Sequence, residues 1–251
     1  MKTMRLHAGT RTLVRRLALL CLLAPAMALA APVRLGGTTV EVPAPVGFVA
    51  VVPGMTAVSA FQHHFVPPGN VQFALFIDEA DVPEALAGGI PELERRFAVQ
   101  TAKALVDRRI TQSDFAGIKR AFASNNEALY AELRKKLPGL LADASKGVSE
   151  QLDTRVMINI GGIVPLPPHH EDERSMSASM IARNEVAAGG GETLVEVIAA
   201  TMTFVHVNDR VLFLYAYANR DDLEWTRQRS RAWAEAIIEA NAGTPAGHEG
   251  T

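Results

Sequence analysis

Two long runs of β-branched and aromatic residues dominate the apolar pattern: Thr193–Val207 (TLVEVIAATMTFVHV) and Arg210–Asn219 (RVLFLYAYAN). Asn208-Asp209 separates them. Asn and Asp tolerate the positive φ of a tight primed turn, so the pair predicts a hairpin. Leu194, Ile198, Met202 and Phe204 fall on one face, and Val195, Val197, Val205 and Val207 on the other. A strand apolar on both faces belongs in the middle of a sheet that is covered twice. The hairpin is therefore predicted to be the centre of the fold.

The pattern before it is more broken. Residues 38–42 (TTVEV) alternate and predict an edge strand, and Pro43, Pro45 and Gly47 mark the turn after it. Residues 49–52 predict a second short strand. Residues 57–66 (AVSAFQHHFV) and 71–78 (VQFALFID) flank Pro67-Pro68-Gly69-Asn70, which reads as another hairpin, nearer the sheet edge. Pro91, Glu92 and Glu94 then suit a helix start, with Leu93, Phe97, Thr101, Ala104 and Leu105 on one helical face. A second helix is predicted from Thr111, with Asp114 at capping-box spacing and a stripe of Phe115, Ile118, Phe122, Leu129, Leu133 and Leu137. Asn125-Asn126 interrupts that stripe, Pro138-Gly139 ends or breaks it, and 140–152 is a weaker helical piece.

Residues 154–160 (TRVMINI) return to strand chemistry, 161–173 (GGIVPLPPHHEDE) read as a long loop, and 174–186 predict another strand. Gly189-Gly190-Gly191 is its turn into the central hairpin. The last helix is predicted from Asp221, with Glu224 at capping-box spacing. Thr226, Ser230, Trp233, Ala236, Ile237 and Ala240 face inward, Trp225 and Trp233 are set to pack on the hairpin, and Gly243 is the stop. The order of strands, helices, strands and helix predicts an α+β fold. It is an antiparallel sheet with a central C-terminal hairpin, covered by helices: an α/β sandwich in a single domain over 31–243, followed by a disordered tail at 244–251.

The first thirty residues do not fit that domain. Lys2, Arg5, Arg11, Arg15 and Arg16 make a basic segment without acid, residues 17–23 are apolar, and Ala28-Leu29-Ala30 satisfies the small-x-small cleavage rule. The segment predicts a signal peptide cut after Ala30. Its apolar run is too short to cross ~30 Å of hydrocarbon as a helix of about 20 residues. The chain is thus expected to be periplasmic or secreted, with no transmembrane segment after cleavage. Five of the 25 basic residues and none of the 27 acidic ones lie in that segment, so the remainder carries a net charge of −7. That balance argues against nucleic acid or an anionic membrane as partner. Cys21 is the only cysteine and lies in the same segment, which excludes disulfides and thiolate metal sites from the predicted domain.

One resemblance is carried by residues. The stretch VEVPAPVGFVAV (40–51) resembles the opening strand and P-x-G-F turn of the Mog1/PsbP-like proteins, with the motif at Pro45, Gly47 and Phe48. The closing hairpin and tryptophan-bearing helix are similar too. The resemblance extends to exported bacterial proteins of the DcrB-like kind and implies an α+β layout. It implies no catalytic residue, because that group shares no catalytic motif.

Candidate chemistry is sparse. His63-His64 and His169-His170, the second pair followed by Glu171, Asp172 and Glu173, are candidate metal ligands, since imidazoles beside carboxylates suit zinc or another divalent ion. Solvated histidines are the alternative, and adjacent residues on a strand point to opposite faces. Nucleophile elbow, zincin and phosphate-loop motifs are absent from the sequence, and no cofactor is implied. The sequence therefore predicts an exported, non-enzymatic binding or accessory protein. Its partner is an envelope protein or a small apolar ligand. The competing expectation is an exported metal-dependent hydrolase built on the paired histidines.

Overall fold

The computed structural model describes residues 31–153, 155–188 and 193–243. The signal-peptide expectation at 1–30, the tail at 244–251 and the glycine turn at 189–191 lie outside the described residues. Among the described residues, ten strands fall into two sheets. β1 (Ala31–Leu35) and β2 (Thr38–Val42) form a separate antiparallel ribbon. The main sheet runs β3 (Phe48–Ala50), β4 (Asn70–Asp78), β5 (Arg96–Ala102), β10 (Arg210–Asn219), β9 (Thr193–Val207), β8 (Ser175–Ala188) and β6 (Val156–Pro165). β7 (His170–Glu171) pairs with β8 beside β6, and every pairing is antiparallel.

The β9–β10 hairpin is central, as its two-sided apolar pattern requires. Asn208 and Asp209 have φ of 50° and 57°, the paired positive values of a type I′ turn, and the register runs from Arg210↔Val207 to Asn219↔Ile198. Double cover holds only for the half nearer the turn. At the far end Leu194 is 67% exposed and Val195 46%.

α4 (Leu223–Ala240) and the β1–β2 ribbon cover one face of the sheet. Their cluster joins Phe76 and Phe97 to Val205, Leu212 and Leu214, and to Val40, Val42, Trp233 and Ile237. Both tryptophans pack in the cluster of the hairpin's Val205, Leu212 and Leu214, as expected, and they also reach the aromatic rings beside it. Trp233 meets Phe97 at 5.2 Å and Phe76 at 5.5 Å, and Trp225 meets Phe97 at 5.6 Å and Phe48 at 6.0 Å. They therefore pack on β3, β4 and β5 as well as on the hairpin, which supplies aliphatic neighbours. The Pro45-Gly47-Phe48 turn is the reason Phe48 reaches them. Gly47 takes φ 83° and the Phe48 amide donates to the Pro45 carbonyl at 3.0 Å, a type II turn.

The other face carries α1 (Thr56–His63), α2 (Val82–Leu86) and α3 (Gln112–Leu152). Three sequence expectations fail on this side. Residues 57–66 are mostly helix: Val58, Phe61 and Phe65 sit at helical spacing, and the buried Val58 and Gln62 are four apart. The expected 57–78 hairpin does not exist. Residues 96–102 are strand β5, buried at every position from Phe97 to Thr101. A strand covered on both faces buries residues on both, and the run from Phe97 to Thr101 also satisfies the helical spacing of 93, 97 and 101. The loop expected at 161–173 is largely strand: β6 continues through the glycines with a bulge between Ile160 and Gly162, and β7 follows.

α3 is one helix of 41 residues, with Pro138 inside it and no break at Asn125-Asn126. Its capping box is present, with Thr111 Oγ1 accepting from the Asp114 amide at 3.2 Å and Asp114 Oδ2 accepting from the Thr111 amide at 2.9 Å. The capping box expected at Asp221 and Glu224 is not formed. α4 follows a 3₁₀ turn at Arg220–Asp222, and Glu224 pairs with Arg227 at 2.7 Å instead. Buried Asn241, rather than Gly243, closes α4 by donating to the Ile237 and Glu41 carbonyls, each at 2.8 Å. Among the described residues no helix is long and apolar enough to cross a membrane.

Candidate ligand cleft

Strand alternation lays one set of side chains across the face under α1 and α3. Arg96, Ala98 and Gln100 of β5, Tyr217 of β10, Glu196 and Ile198 of β9, Asn184 and Val186 of β8, and Ile158 and Ile160 of β6 form a floor. Phe61 and Phe65 at the end of α1, Leu93, and Leu141 of α3 form the walls. They enclose a cleft of about 280 Å³. It lies between two apolar clusters of the same face. One is built around Ile77, Leu93 and Ala98, the other around Phe115, Met176 and Phe204.

Arg96 is the chemical centre of this cleft. Its Nη1 donates to the Leu93 carbonyl at 3.0 Å and its guanidinium lies 4.6 Å from the centre of the Tyr217 ring. Its Nε is enclosed and has no hydrogen-bond partner. Burial pushes the guanidinium below its usual range, opposed by Tyr217 and Glu196. Arginine nonetheless stays cationic in proteins. Burial also pushes the Tyr217 phenol up, against the pull of Arg96, so it stays neutral at ordinary pH. Beside them runs a row of amides. Asn70 Nδ2 donates to Gln100 Oε1 at 2.9 Å, and Gln100 Nε2 donates to Gln72 Oε1 at 3.3 Å. An apolar cleft with a few converging polar groups is the usual form of a small-molecule site. A buried donor without a partner costs about 1–3 kcal/mol, which an acceptor on a ligand would recover.

The histidine pairs sit in different surroundings. His63 is exposed at the end of α1, and its ring lies 6.5 Å from that of His64. His64 packs on α3 where Gly147 leaves room; a Cβ there would collide with the imidazole. His169 and His170 flank the start of β7. His170 Nε2 lies 3.1 Å from Asp172 Oδ2, and His169 Nδ1 lies 3.5 Å from Ser179 Oγ. Among the described residues, no group of three or more His, Cys, Asp or Glu is placed to hold a metal ion. His206 Nε2 meets the Ile110 carbonyl at 2.6 Å and its ring stacks on Phe115, a structural role.

The 169–175 segment is strapped down rather than free. Asp172 accepts from the Arg174 amide (2.8 Å), the Ser175 amide (2.6 Å) and the Ser175 hydroxyl (2.8 Å), and buried Lys119 of α3 pairs with Glu171 at 3.1 Å. Of the helix arginines, Arg227 pairs with Glu224 and donates to Ser179 at 3.3 Å, and Arg231 pairs with Glu235 at 2.9 Å.

Sequence reasoning missed Arg96, Gln100 and Tyr217. Reading 96–102 as helix set Phe97 and Thr101 on its apolar face and gave Arg96 and Gln100 no role. The available signal was a short run apolar on both sides yet interrupted by Arg and Gln, which marks polar groups on a buried strand.

The chain is thus an α+β sandwich around an antiparallel sheet. No known protein-family pattern matches it, and no curated protein matches it in sequence. Solved structures share its layout at 11–12% identity. One is the cyanobacterial PsbP protein CyanoP of Synechocystis, with 11% identity, 86% of this chain and 94% of that one covered, and a TM-score of 0.31. A point mutant of Mog1 gives 11% identity, 85% and 93% coverage and a TM-score of 0.32. The Ran-binding protein Mog1p of Saccharomyces cerevisiae gives 12% identity, 84% and 89% coverage and a TM-score of 0.25. The resemblance to PsbP and Mog1 is one of layout, and no functional residue follows from it.

Proposed function

We propose that this is an exported, non-enzymatic binding protein that holds a small amphipathic molecule in the Arg96 cleft. The observation that carries the reading is the enclosed, unpartnered Arg96 Nε in a cleft that sets a few polar groups among the apolar Phe61, Phe65, Leu141, Ile158 and Ile160. Its ligand presents a carbonyl or carboxylate oxygen to Arg96 and an apolar body to Phe61, Phe65, Leu141 and Ile158. Glu92 and Glu196 line the same cleft, so three charged groups leave it slightly negative. That balance favours a neutral or zwitterionic ligand over a polyanion. Export rests on the basic, apolar and small-residue order of positions 1–30.

Native mass spectrometry of protein purified without denaturant tests the reading. A small-molecule adduct is expected on the wild type and is expected to be lost in Arg96→Met. Phe65 is 42% exposed at the rim, so Phe65→Ser should weaken the adduct without affecting folding. Adduct-free wild-type protein, or an adduct indifferent to both substitutions, contradicts it. The intact mass of protein from the cell envelope is expected to begin at Ala31.

A further inference from the structure

The main sheet ends at β6, and α3 runs back along that edge. In the first half of the edge α3 stands in for a neighbouring strand. Ser149 Oγ accepts from the Val156 amide at 2.8 Å and Ser145 Oγ from the Ile158 amide at 2.9 Å, while the two hydroxyls donate to the Ser145 and Leu141 carbonyls of their own helix at 2.6 and 2.7 Å. Val156 and Ile158 are therefore the residues whose backbone points away from β8. Alternation makes Ile160 the next. On α3, four residues before Ser145 and again four before that, come Leu141 and Leu137, which have no hydrogen-bonding group to offer. A groove of about 770 Å³ opens there, lined by Leu137, Pro138 and Leu141 against β6.

The bulge sets what fits this edge. The register passes from Ile160↔Asn184 to Gly162↔Arg183, so Gly161 is extra and the next outward residue is Ile163, three positions on rather than two. A regular strand offers outward groups two residues apart and matches only one of these positions. A second β6 has the same three-residue spacing and matches both. Pairing Ile160 with Ile163 also brings Pro165, which lacks an amide hydrogen, opposite Ile158, whose backbone Ser145 already occupies. β6 carries no charged residue, and Met157 and Val164 are each 58% exposed, so only the bulge and Pro165 guard its edge, and a second β6 matches both.

We propose that two copies of this protein pair antiparallel through β6, with Ile160 of one opposite Ile163 of the other and the two-fold axis between Gly161 and Gly162. The two sheets become one continuous sheet across the axis, and both grooves are filled at once, as an isologous contact requires.

Sedimentation equilibrium from about 1 µM to about 1 mM tests it, with a reversible doubling of mass expected in that range. Ile163→Pro removes the outward amide while leaving the β6–β8 ladder intact, and is expected to raise the dimer dissociation constant about 10–100-fold. Gly162→Cys places a thiol beside its symmetry mate in open space, and mild oxidation should link the two copies. This variant decides the matter if Ile163→Pro does not fold. Wild type that stays monomeric throughout overturns the proposal, including the case in which the edge captures an unrelated extended peptide. A dimer unaffected by Ile163→Pro that gives no link at position 162 overturns it as well.

Discussion

At the scale of single residues, the 169–175 strap ties stability to pH. Partial burial pushes the Asp172 carboxyl up, but the bonds from Ser175, Arg174 and His170 outweigh it and hold it below its ordinary 3.8. The native state therefore binds that proton less readily than the unfolded chain. The stabilisation is complete above 3.8 and is lost as pH falls below it toward the native value. Desolvation, then Arg227 and His170, push His169 below its ordinary 6.5 in the same sense. Its contribution is complete above 6.5 and is lost as pH falls through that value toward the native one. Denaturant melts should show stability rising through the window just below pH 6.5, and His169→Gln should flatten that rise while leaving the more acidic limb in place. Asp172→Ala should cost about 1–2 kcal/mol at neutral pH, since it frees two backbone amides as loss of a cap does. None of this was legible in HHEDE as a string. Whether those residues form a strap or a solvated tip depends on β8 and Lys119, which reach the segment through tertiary structure.

At the scale of elements, local signals were legible where one contact decides the conformation. Thr111 and Asp114 announce their capping box, and Asn208-Asp209 their turn, because both motifs close within a few residues. Thr111→Ala should lower stability by about 1 kcal/mol in thermal melts. β5 was not legible, because a strand covered on both faces carries no clean period of its own, and in α1 the helical spacing of Val58, Phe61 and Phe65 was masked by the hairpin-like Pro67-Pro68-Gly69-Asn70 that follows. The edge of β6 depends on its neighbour α3. Replacing Ser145 and Ser149 together by Ala should speed hydrogen exchange at the Val156 and Ile158 amides, leaving the amides of the central β9–β10 hairpin protected. Unchanged exchange at those two amides would mean that α3 does not cap the edge.

At the scale of the whole molecule, one sheet organises everything. One of its faces is closed by α4 and the ribbon, and on the other α1, α2 and α3 leave the cleft between their clusters. The closed face carries the stability: Phe97 touches Phe48, Trp225 and Trp233, and Phe97→Ala should cost about 3–5 kcal/mol. The open face carries the proposed site, where Arg96 Nη1 is held by the Leu93 carbonyl, the guanidinium lies over Tyr217, and Nε is enclosed without a hydrogen-bond partner. The most direct test is the side-chain Nε–Hε resonance of Arg96, followed by NMR during titration with the compound that co-purifies. The account predicts a saturable shift at Arg96 with the other arginine side chains unmoved. Saturation of binding with the Arg96 resonance unchanged would contradict it.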